Sequence, residues 1–338
     1  MTSATQRTDL LDPPAFRAMF TQLQQALGRV IVGQAEVLEL LLVAFFAGGH
    51  VLLESVPGLG KTLLAKSVAR ALGLSFKRVQ CTPDLMPADI IGTEIIADRD
   101  GRKVFEFSQG PVFTNILLAD EINRATPKTQ SALLEAMAEH QVSVSGKTYT
   151  LEEPFFVIAT QNPVEMEGVY TLPEAQLDRF LFRIFVSFPT EAELGKILRQ
   201  TTVAEQPEVP QVLKSEDARA WILRARQLVR EVLVASPIEE YVVRLISATH
   251  GRGASEDVAK RFVRYGASPR GAQALLMGAK VLALVRGRVN VSFEDVEAVL
   301  APALNHRVIP SFEAEAERRS AMDLVRELTD PIRARREH

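Results

Sequence analysis

Cysteine is almost absent from the sequence: Cys81 is the single one, so no disulfide can form within the chain. Long hydrophobic runs are absent too, because the most apolar stretch, residues 40–47, is far shorter than the ~20 residues of a transmembrane helix. The first twenty residues contain no positively flanked apolar segment of the kind that directs secretion. We therefore expect a cytoplasmic protein with no membrane span.

A basic excess is also missing. The 338 residues hold 39 Lys and Arg against 42 Asp and Glu, which gives a net charge of -3. Residues 1–189 hold 16 basic and 21 acidic side chains, and residues 190–338 hold 23 and 21. Proteins that bind nucleic acids carry basic patches that neutralise phosphates, so this balance argues against a nucleic-acid partner. The length leaves room for two domains.

Short apolar runs alternate with helical patterns up to about residue 189. The predicted strands are residues 51–54, 76–80, 116–119, 155–160 and 182–186. The predicted helices between them are residues 34–47, 62–71 and 127–139. This alternation predicts an α/β domain with a parallel sheet that is covered on both faces.

Two segments that interrupt this alternation have the pattern of β-hairpins. In residues 94–107 the dipeptide Asp100-Gly101 is a strong two-residue turn between apolar arms. In residues 142–151 the turn falls near Gly146. We expect both hairpins to be additions to the sheet domain.

Strand patterns stop after residue 189. Helices are predicted at residues 191–200, 216–233, 237–249, 269–287 and 293–300, and Ser268 before Pro269 is a good helix start. The sequence therefore predicts an α/β domain over residues 1–189 and an all-helical domain over residues 190–338.

Residues 55–62, with the sequence SVPGLGKT, have the pattern of a phosphate-binding loop. They follow a predicted strand and open a helix, where backbone N–H groups can cradle phosphate oxygens. Lys61 is expected to contact the β- and γ-phosphates of a nucleotide, and the Thr62 hydroxyl is expected to bind Mg²⁺. Ser55 stands where this pattern usually has its first glycine, a difference that bears on turnover more than on binding. The predicted contacts of this segment are Ser55, Val56, Pro57, Gly58, Leu59, Gly60, Lys61, Thr62 and Leu63.

Two further predicted strands end in polar side chains. Asp120 and Glu121 follow residues 116–119, and they would face the same crevice as the phosphate loop. We expect Asp120 to hold Mg²⁺ through water and Glu121 to orient or deprotonate the attacking water. Asn162 follows residues 155–160, where its amide could bind the γ-phosphate or the water.

Together these pieces resemble the AAA+ ATPases and, among them, the MoxR family. The resemblance covers residues 15 to 325 and is carried by long motifs in the right order. The motifs are LADEINRA at 118–125, KTQSALLEAM at 128–137, ATQNP at 159–163, LPEAQLDRF at 172–180 and SPR at 268–270.

The resemblance implies roles for individual residues. Val32, Gly33 and Gln34 would line the adenine pocket, and Asn162 would be sensor 1. Arg270 would be sensor 2, acting on its own site or a neighbour's. The arginine finger falls on Arg179, which would reach a neighbouring subunit's nucleotide, with Arg183 as the alternative. The two hairpins match the helix-2 insert and the pre-sensor hairpin of this clade, near the pore of a ring.

The resemblance also implies a function. We expect an ATP-hydrolysing chaperone that binds ATP and Mg²⁺, forms a homo-oligomer, most simply a hexamer, and remodels or activates a partner protein. MoxR-like ATPases commonly act with partners that carry a von Willebrand factor A domain, in complex maturation or metal insertion. Two alternatives stay open: a DNA-acting AAA+ motor, and an ATP-loaded scaffold with little hydrolysis, which the serine at position 55 would favour.

Overall fold

The computed structural model describes residues 11–99, 102–163, 168–203, 207–252 and 256–334. The chain divides into two compact units. The sheet unit consists of Ala26–Leu38 and His50–Glu216, and the helical unit consists of Met1–Gln25, Glu39–Gly49 and Asp217–His338. Each unit is a set of residues that are close to one another in space. The domain bounds expected from the sequence, residues 1–189 and 190–338, stay a prediction.

Strands and helices are numbered in chain order. The strands are β1 His50–Glu54, β2 Phe76–Gln80, β3 Gly92–Arg99, β4 Arg102–Gln109, β5 Ile116–Asp120, β6 Gln141–Val144, β7 Lys147–Thr150, β8 Phe156–Gln161, β9 Phe180–Phe185, β10 Val263–Tyr265 and β11 Ile309–Pro310. The helices are α1 Pro13–Gly28, α2 Ala35–Ala47, α3 Lys61–Leu72, α4 Pro87–Ile91, α5 Pro127–Glu139, α6 Glu174–Leu177, α7 Glu191–Thr201, α8 Ser215–Glu231, α9 Ser236–Ala248, α10 Glu256–Phe262, α11 Pro269–Val285, α12 Phe293–Ala298, α13 Leu300–Leu304, α14 Phe312–Ala316 and α15 Ala321–Ala334.

A five-stranded parallel sheet with the order β2-β5-β8-β1-β9 forms the centre of the sheet unit. Every residue of β1 and β5 is buried, as expected for central strands with both faces covered. The structure confirms the predicted α/β fold. Because the strands are parallel, the residues that follow β1, β5 and β8 meet at one edge of the sheet.

Helix α5 connects that edge to the second hairpin. Pro127 at its first turn is compatible with a helix start, since proline has no N–H to leave unpaired. A short 3₁₀ helix, Ile122–Arg124, joins β5 to α5. The helix ends at His140, which has a left-handed φ of 52°. Its buried face includes Gln130, Leu133 and Leu134.

Both predicted hairpins are present. Strands β3 and β4 pair from Gly92 with Gln109 to Arg99 with Arg102, while the predicted turn residues Asp100 and Gly101 lie outside the described residues. Strands β6 and β7 turn at Ser145 and Gly146, whose φ angles of 50° and 78° suit a tight hairpin.

The two hairpins contact each other through their side chains. The rings of Phe107 and Tyr149 stack with centroids 4.0 Å apart, and Lys147 lies 3.7 Å from Glu94. The most exposed large apolar side chains of the first hairpin are Ile96, at 63%, and Phe105, at 75%. They are cross-strand partners and therefore lie on one face.

An aromatic cluster lies in the core of the helical unit. Phe16 of α1 packs against Phe46 of α2 and stacks on Trp221 of α8, with ring centroids 5.2 and 6.4 Å apart. Sequence patterns predicted the C-terminal helices but not α1, and the short antiparallel pair β10–β11 differs from the expected absence of strands. Helix α11 begins as predicted, because the Ser268 hydroxyl accepts the Arg270 N–H. No described helix is long and apolar enough to cross a membrane.

Candidate functional site

The loop from Ser55 to Gly60 joins β1 to α3 at the edge of the sheet. Gly58 and Gly60 adopt φ angles of 85° and 76°, which favour glycine. A Cβ built on either glycine meets no heavy atom within 4 Å beyond its chain neighbours, so the backbone faces open space. Gly60 precedes α3 without a side-chain cap, which leaves the first N–H groups of the helix available to an anion.

Ser55 fits the loop without backbone strain. Its φ is not positive, so this position does not require the conformational freedom of a glycine. The residue is 3% exposed, its N–H donates to the Gln161 carbonyl at 3.2 Å, and its hydroxyl donates to the Val56 carbonyl at 3.1 Å. The Lys61 ammonium donates to the Ser55 carbonyl at 3.3 Å and so lies against the loop.

A cavity of about 300 Å³ lies beside the loop. It is lined by residues 30–34, 58–60, 63 and 187–189 together with Leu194, Ile197, Gln200 and Thr201 of α7. The predicted residues Val32, Gly33, Gln34 and Leu63 therefore lie around the same space as Gly58, Leu59 and Gly60. Ser55, Val56, Pro57, Lys61 and Thr62 are not part of its lining.

The cavity wall depends on two close approaches. The Gln34 side-chain amide donates to the Leu59 carbonyl at 3.1 Å and joins the upstream segment to the phosphate loop. Gly33 has a φ of 76°, and a Cβ there would lie 2.7 Å from the carboxyl carbon of Glu193. Glu193 in turn completes the capping box of α7 with Thr190.

Sequence reasoning missed the other wall of this cavity. Phe188 is 69% exposed and lines it after β9, and no motif marked this position. Leu194, Ile197 and Thr201 lie on one face of α7 at spacings of three and four. This spacing could have indicated a lining face, but it also fits ordinary packing.

The Asp120 carboxylate at the end of β5 is held by two neighbouring strands. Its Oδ1 accepts the Thr160 hydroxyl at 2.6 Å, and its Oδ2 accepts Nε and Nη2 of Arg78 at 3.1 and 2.8 Å. Thr160 is fully buried, and the Asp120 side chain is 9% exposed. The carboxylate is thereby fixed in position and charge-paired.

Glu121 follows in a left-handed backbone conformation with φ 57° and ψ 51°. Such a conformation is uncommon for a residue with a long side chain and marks a constrained position. The Glu121 N–H donates to the Thr160 hydroxyl at 2.8 Å. Its Oε2 accepts the Gln80 amide at 2.8 Å and Arg124 Nη1 at 3.3 Å, so the carboxylate is held at its tip as well.

Cys81, which directly follows β2, lies in the same environment, and its N–H donates to the Asp120 carbonyl at 2.8 Å. Burial, together with the negative charges of Asp120 and Glu121, raises the pKa of its thiol to about 12. The thiol is 1% exposed and stays neutral at physiological pH.

Asn162 comes directly after β8 and is 4% exposed. It lines a cleft of about 270 Å³ together with Asn123, Gln161 and Arg183. Arg183 also donates to Glu54, the last residue of β1, with Nε at 2.7 Å and with Nη2. This buried ion pair lies within one chain.

Arg179 lies in a different groove. Its Nη1 donates to the Leu134 carbonyl of α5 at 2.5 Å, and the groove also exposes Ser131, Glu135 and Gln176. Its side chain is half-buried. Arg270 belongs to the helical unit, at the start of α11.

The chemistry of the residues fits a nucleotide with Mg²⁺. The Thr62 hydroxyl and the Asp120 carboxylate are hard oxygen ligands, which Mg²⁺ prefers. Among the residues that the structure describes, no cluster of three or more His, Cys, Asp or Glu could hold a metal alone. An ion at this edge would therefore also need phosphate oxygens and water, as Mg²⁺ bound with a nucleotide has.

Comparisons with known proteins agree with this geometry. Residues 50–182 match the model of the ATPase family associated with various cellular activities (AAA), and residues 255–328 match the AAA lid domain. The chain is 46% identical over 291 residues to Chaperone MoxR1 of Mycobacterium tuberculosis, which covers 86% of this chain and 75% of that protein. It is 36% identical to Protein MoxR of Paracoccus denitrificans, covering 89% and 92%. The chain belongs to the MoxR family of AAA+ ATPases.

Solved structures support the MoxR-family fold. The crystal structure of a candidate ATPase from Cytophaga hutchinsonii superposes with a TM-score of 0.87 at 38% identity, covering 94% of this chain and 95% of that one. The AAA match begins at β1 and ends within β9, so it includes the strands β1, β5 and β8, the phosphate loop, Asp120 and Glu121. The chain is thus an ATPase and a MoxR-family chaperone.

Proposed function

We propose that this MoxR-family chain hydrolyses ATP at the edge of the sheet where β1, β5 and β8 end. The observation that carries the proposal is the position of β8 between the other two strands. Gln161 accepts the first N–H of the phosphate loop, while Thr160 accepts the Glu121 N–H and donates to Asp120. The phosphate loop and the two acidic residues are therefore held by two consecutive residues of one strand.

Each residue then has a role in the reaction. The loop N–H groups and Lys61 hold the phosphates, and residues 32–34 contact the base. Thr62 and Asp120 hold Mg²⁺, which neutralises phosphate charge when bound. Glu121 accepts a hydrogen bond from the attacking water and takes its proton. Asn162 donates to the γ-phosphate or to that water.

The position of Glu121 supports its role as the base. Its left-handed backbone and its N–H bond to Thr160 turn the residue out of the strand direction. Gln80 and Arg124 then hold the carboxylate oxygen Oε2. A carboxylate that is oriented before substrate binds needs little reorganisation in the transition state.

Arg179 supports an oligomer. Its guanidinium is fixed to α5 in a groove apart from the nucleotide cavity, where a neighbouring subunit's phosphates could reach it. The alternative finger, Arg183, is already engaged by Glu54 inside its own chain. An arginine from a neighbour that stabilises transition-state charge makes hydrolysis depend on assembly, most simply as a hexameric ring. In the helical unit, Arg270 would contribute as sensor 2.

The exposed pair Ile96 and Phe105 supports a role in acting on other proteins. An exposed apolar pair on one face of a hairpin is suited to contact an apolar client segment. We propose that the client is a protein with a von Willebrand factor A domain, which the ring remodels or activates in the cytoplasm during complex maturation or metal insertion. Binding of the ATP-loaded Glu121→Gln variant to such a protein tests this part.

Steady-state ATPase activity and light scattering test the ATPase mechanism. The proteins are the wild type, Glu121→Gln, Arg179→Ala and, as a control, Arg70→Ala, an exposed arginine of the same unit. We expect an ATP-dependent oligomer in the wild type, loss of turnover in the first two variants, and normal turnover in the control. Turnover by a monomer that is indifferent to Arg179 would refute the intersubunit mechanism.

A further inference from the structure

Gln130 bonds to two segments of the chain. One is the turn after Glu121, and the other is residues 168–178, the connection that leads to Arg179. The Gln130 side-chain amide donates to the Ile122 carbonyl at 3.2 Å and to the Tyr170 carbonyl at 3.0 Å. Ile122 directly follows Glu121, and Tyr170 lies between Asn162 and α6. One amide group therefore bonds to both segments at once.

Two further residues of α5, Ser131 and Leu134, continue this attachment. Ser131 accepts the Gln176 amide at 3.4 Å, and Leu134 accepts Arg179 Nη1 at 2.5 Å. Gln130 and Leu134 are four residues apart and so lie on one side of the helix. Helix α5 thus holds the connection at its start, in its middle and at the arginine itself.

A direct bond strengthens the link between the connection and the 3₁₀ helix. The Tyr170 N–H donates to the Asn123 carbonyl at 2.6 Å. Residues 122 and 123 therefore each bond to Tyr170, one through Gln130 and one directly. A movement of the turn after Glu121 would shift Tyr170 as well.

The burial of Gln130 shows that filling space is not its main role. The residue is 1% exposed, and its Oε1 has no hydrogen-bond partner among the described residues. Leaving a buried carbonyl oxygen unpaired costs about 1–3 kcal/mol, and an apolar side chain of similar size would avoid that cost. The two donated hydrogen bonds explain a glutamine here.

We propose that Gln130 is a positioning residue that couples Glu121 of one subunit to Arg179, which acts on the neighbouring subunit's nucleotide. This inference rests on the proposed role of Arg179. When the turn after Glu121 responds to the nucleotide, Gln130 passes the displacement to Tyr170 and through α6 to the arginine. The nucleotide bound in one subunit thereby controls the position of the arginine that acts on the neighbouring subunit's nucleotide.

The kinetics of a Gln130 variant give the first test of this coupling. Gln130→Met keeps the side-chain length and removes both donated bonds, while Gln227→Met, an exposed glutamine, is the control. We expect Gln130→Met to lower kcat about tenfold or more, because a misplaced catalytic group has effects of this size. Its KM and its affinity for a fluorescent ADP analogue should stay at wild-type values.

Subunit mixing then locates the defect. Glu121→Gln subunits supply an intact Arg179 but cannot hydrolyse, so mixing them with Gln130→Met should restore turnover at the Gln130→Met sites. Mixing with Arg179→Ala should restore none. If Gln130→Met were merely destabilised, Glu121→Gln and Arg179→Ala subunits would have the same effect on its turnover.

Three results would count against the inference. Wild-type kcat in Gln130→Met would overturn it, and so would a loss that Glu121→Gln subunits fail to relieve, since the defect would then lie in the variant's own site. If Gln130→Met does not fold, Gln130→Asn, which keeps the amide but is one methylene too short, is judged by the same criteria. Wild-type turnover in Arg179→Ala would instead refute the proposed function, and this inference with it.

Discussion

Arg183 donates from Nε and Nη2 to a single carboxylate oxygen of Glu54. The two residues lie on the adjacent strands β9 and β1, and Glu54 immediately precedes the phosphate loop. The Glu54 side chain is 9% exposed and that of Arg183 is 22% exposed. This ion pair stabilises the start of the loop from within the same chain.

Because of this ion pair, we expect Arg183 to matter mainly for stability and Arg179 mainly for turnover. Arg183→Ala leaves the Glu54 carboxylate buried without its guanidinium, so we expect the free energy of unfolding to fall by about 3–5 kcal/mol. Arg179→Ala removes one bond to a backbone carbonyl and should cost about 1 kcal/mol while abolishing turnover. Urea unfolding and ATPase rates measure both. Equal stability of the two variants would contradict this distinction.

Thr160 predicts a combined effect on stability and rate. Thr160→Val removes the hydroxyl that donates to Asp120 and accepts from Glu121, which leaves both groups without that partner. We expect a loss of about 1–3 kcal/mol in stability and a clear drop in kcat. Thr160→Ser keeps the hydroxyl and is the control. If the valine variant hydrolyses ATP as fast as the serine variant, Thr160 does not position the carboxylates.

Gly33 predicts an effect on nucleotide affinity. Gly33→Ala places a Cβ against Glu193 and a side chain at a φ of 76°. Gly146→Ala, at a φ of 78° with open space around it, carries the same backbone strain without the contact. We expect Gly33→Ala to cost about 1 kcal/mol more, because Glu193 must leave the α7 cap, and to weaken binding of a fluorescent ATP analogue. Equal affinity in both variants would argue against this.

Two phenylalanines of β4 predict different stabilities. Phe107 stacks on Tyr149 and packs against Phe113, whereas Phe105 is 75% exposed. Phe107→Ser should lower the free energy of unfolding by about 2–3 kcal/mol, and Phe105→Ser should change it by no more than about 0.5 kcal/mol. Thermal unfolding of the two variants gives the comparison, and a larger loss for Phe105→Ser would show that the exposed pair is structural.

The raised pKa of the Cys81 thiol should make the free energy of unfolding depend on pH. The folded pKa of about 12 lies above the ordinary value of 9.0, so above pH 9 the unfolded thiol loses its proton before the folded one. The unfolded state then binds fewer protons, and stability falls with rising pH by up to about 1.4 kcal/mol per unit. Below pH 9 this contribution is fully present. Cys81→Ala should show a shallower decline between pH 9 and 10.5, and parallel curves would contradict the prediction.

Much of the fold was predictable because its signals are local. Strand β2 and helix α5 have the predicted bounds, since their apolar spacing and the proline at the start of α5 are visible along the chain. Helix α1 was not predicted, because its aromatic residues pack against helices that are distant in the sequence. The roles of all the predicted site residues, Asn162, Arg179 and Arg270 among them, stay predictions.

The pattern of a phosphate loop, the adjacent carboxylates and the family were recognisable from the sequence alone, because glycines and lysine at that spacing after a strand, and motifs of that length, are local signals. Tertiary packing alone shows that the Thr160 hydroxyl bonds to both the Asp120 carboxylate and the Glu121 N–H, and that Arg183 pairs with Glu54. It also shows that α7 completes the cavity beside the phosphate loop and that Gln130 bonds to both the turn after Glu121 and the connection to Arg179. Apart from the bond from Gln130 to Ile122, these contacts join residues about 40 or more positions apart, and their geometry depends on how the strands and helices pack.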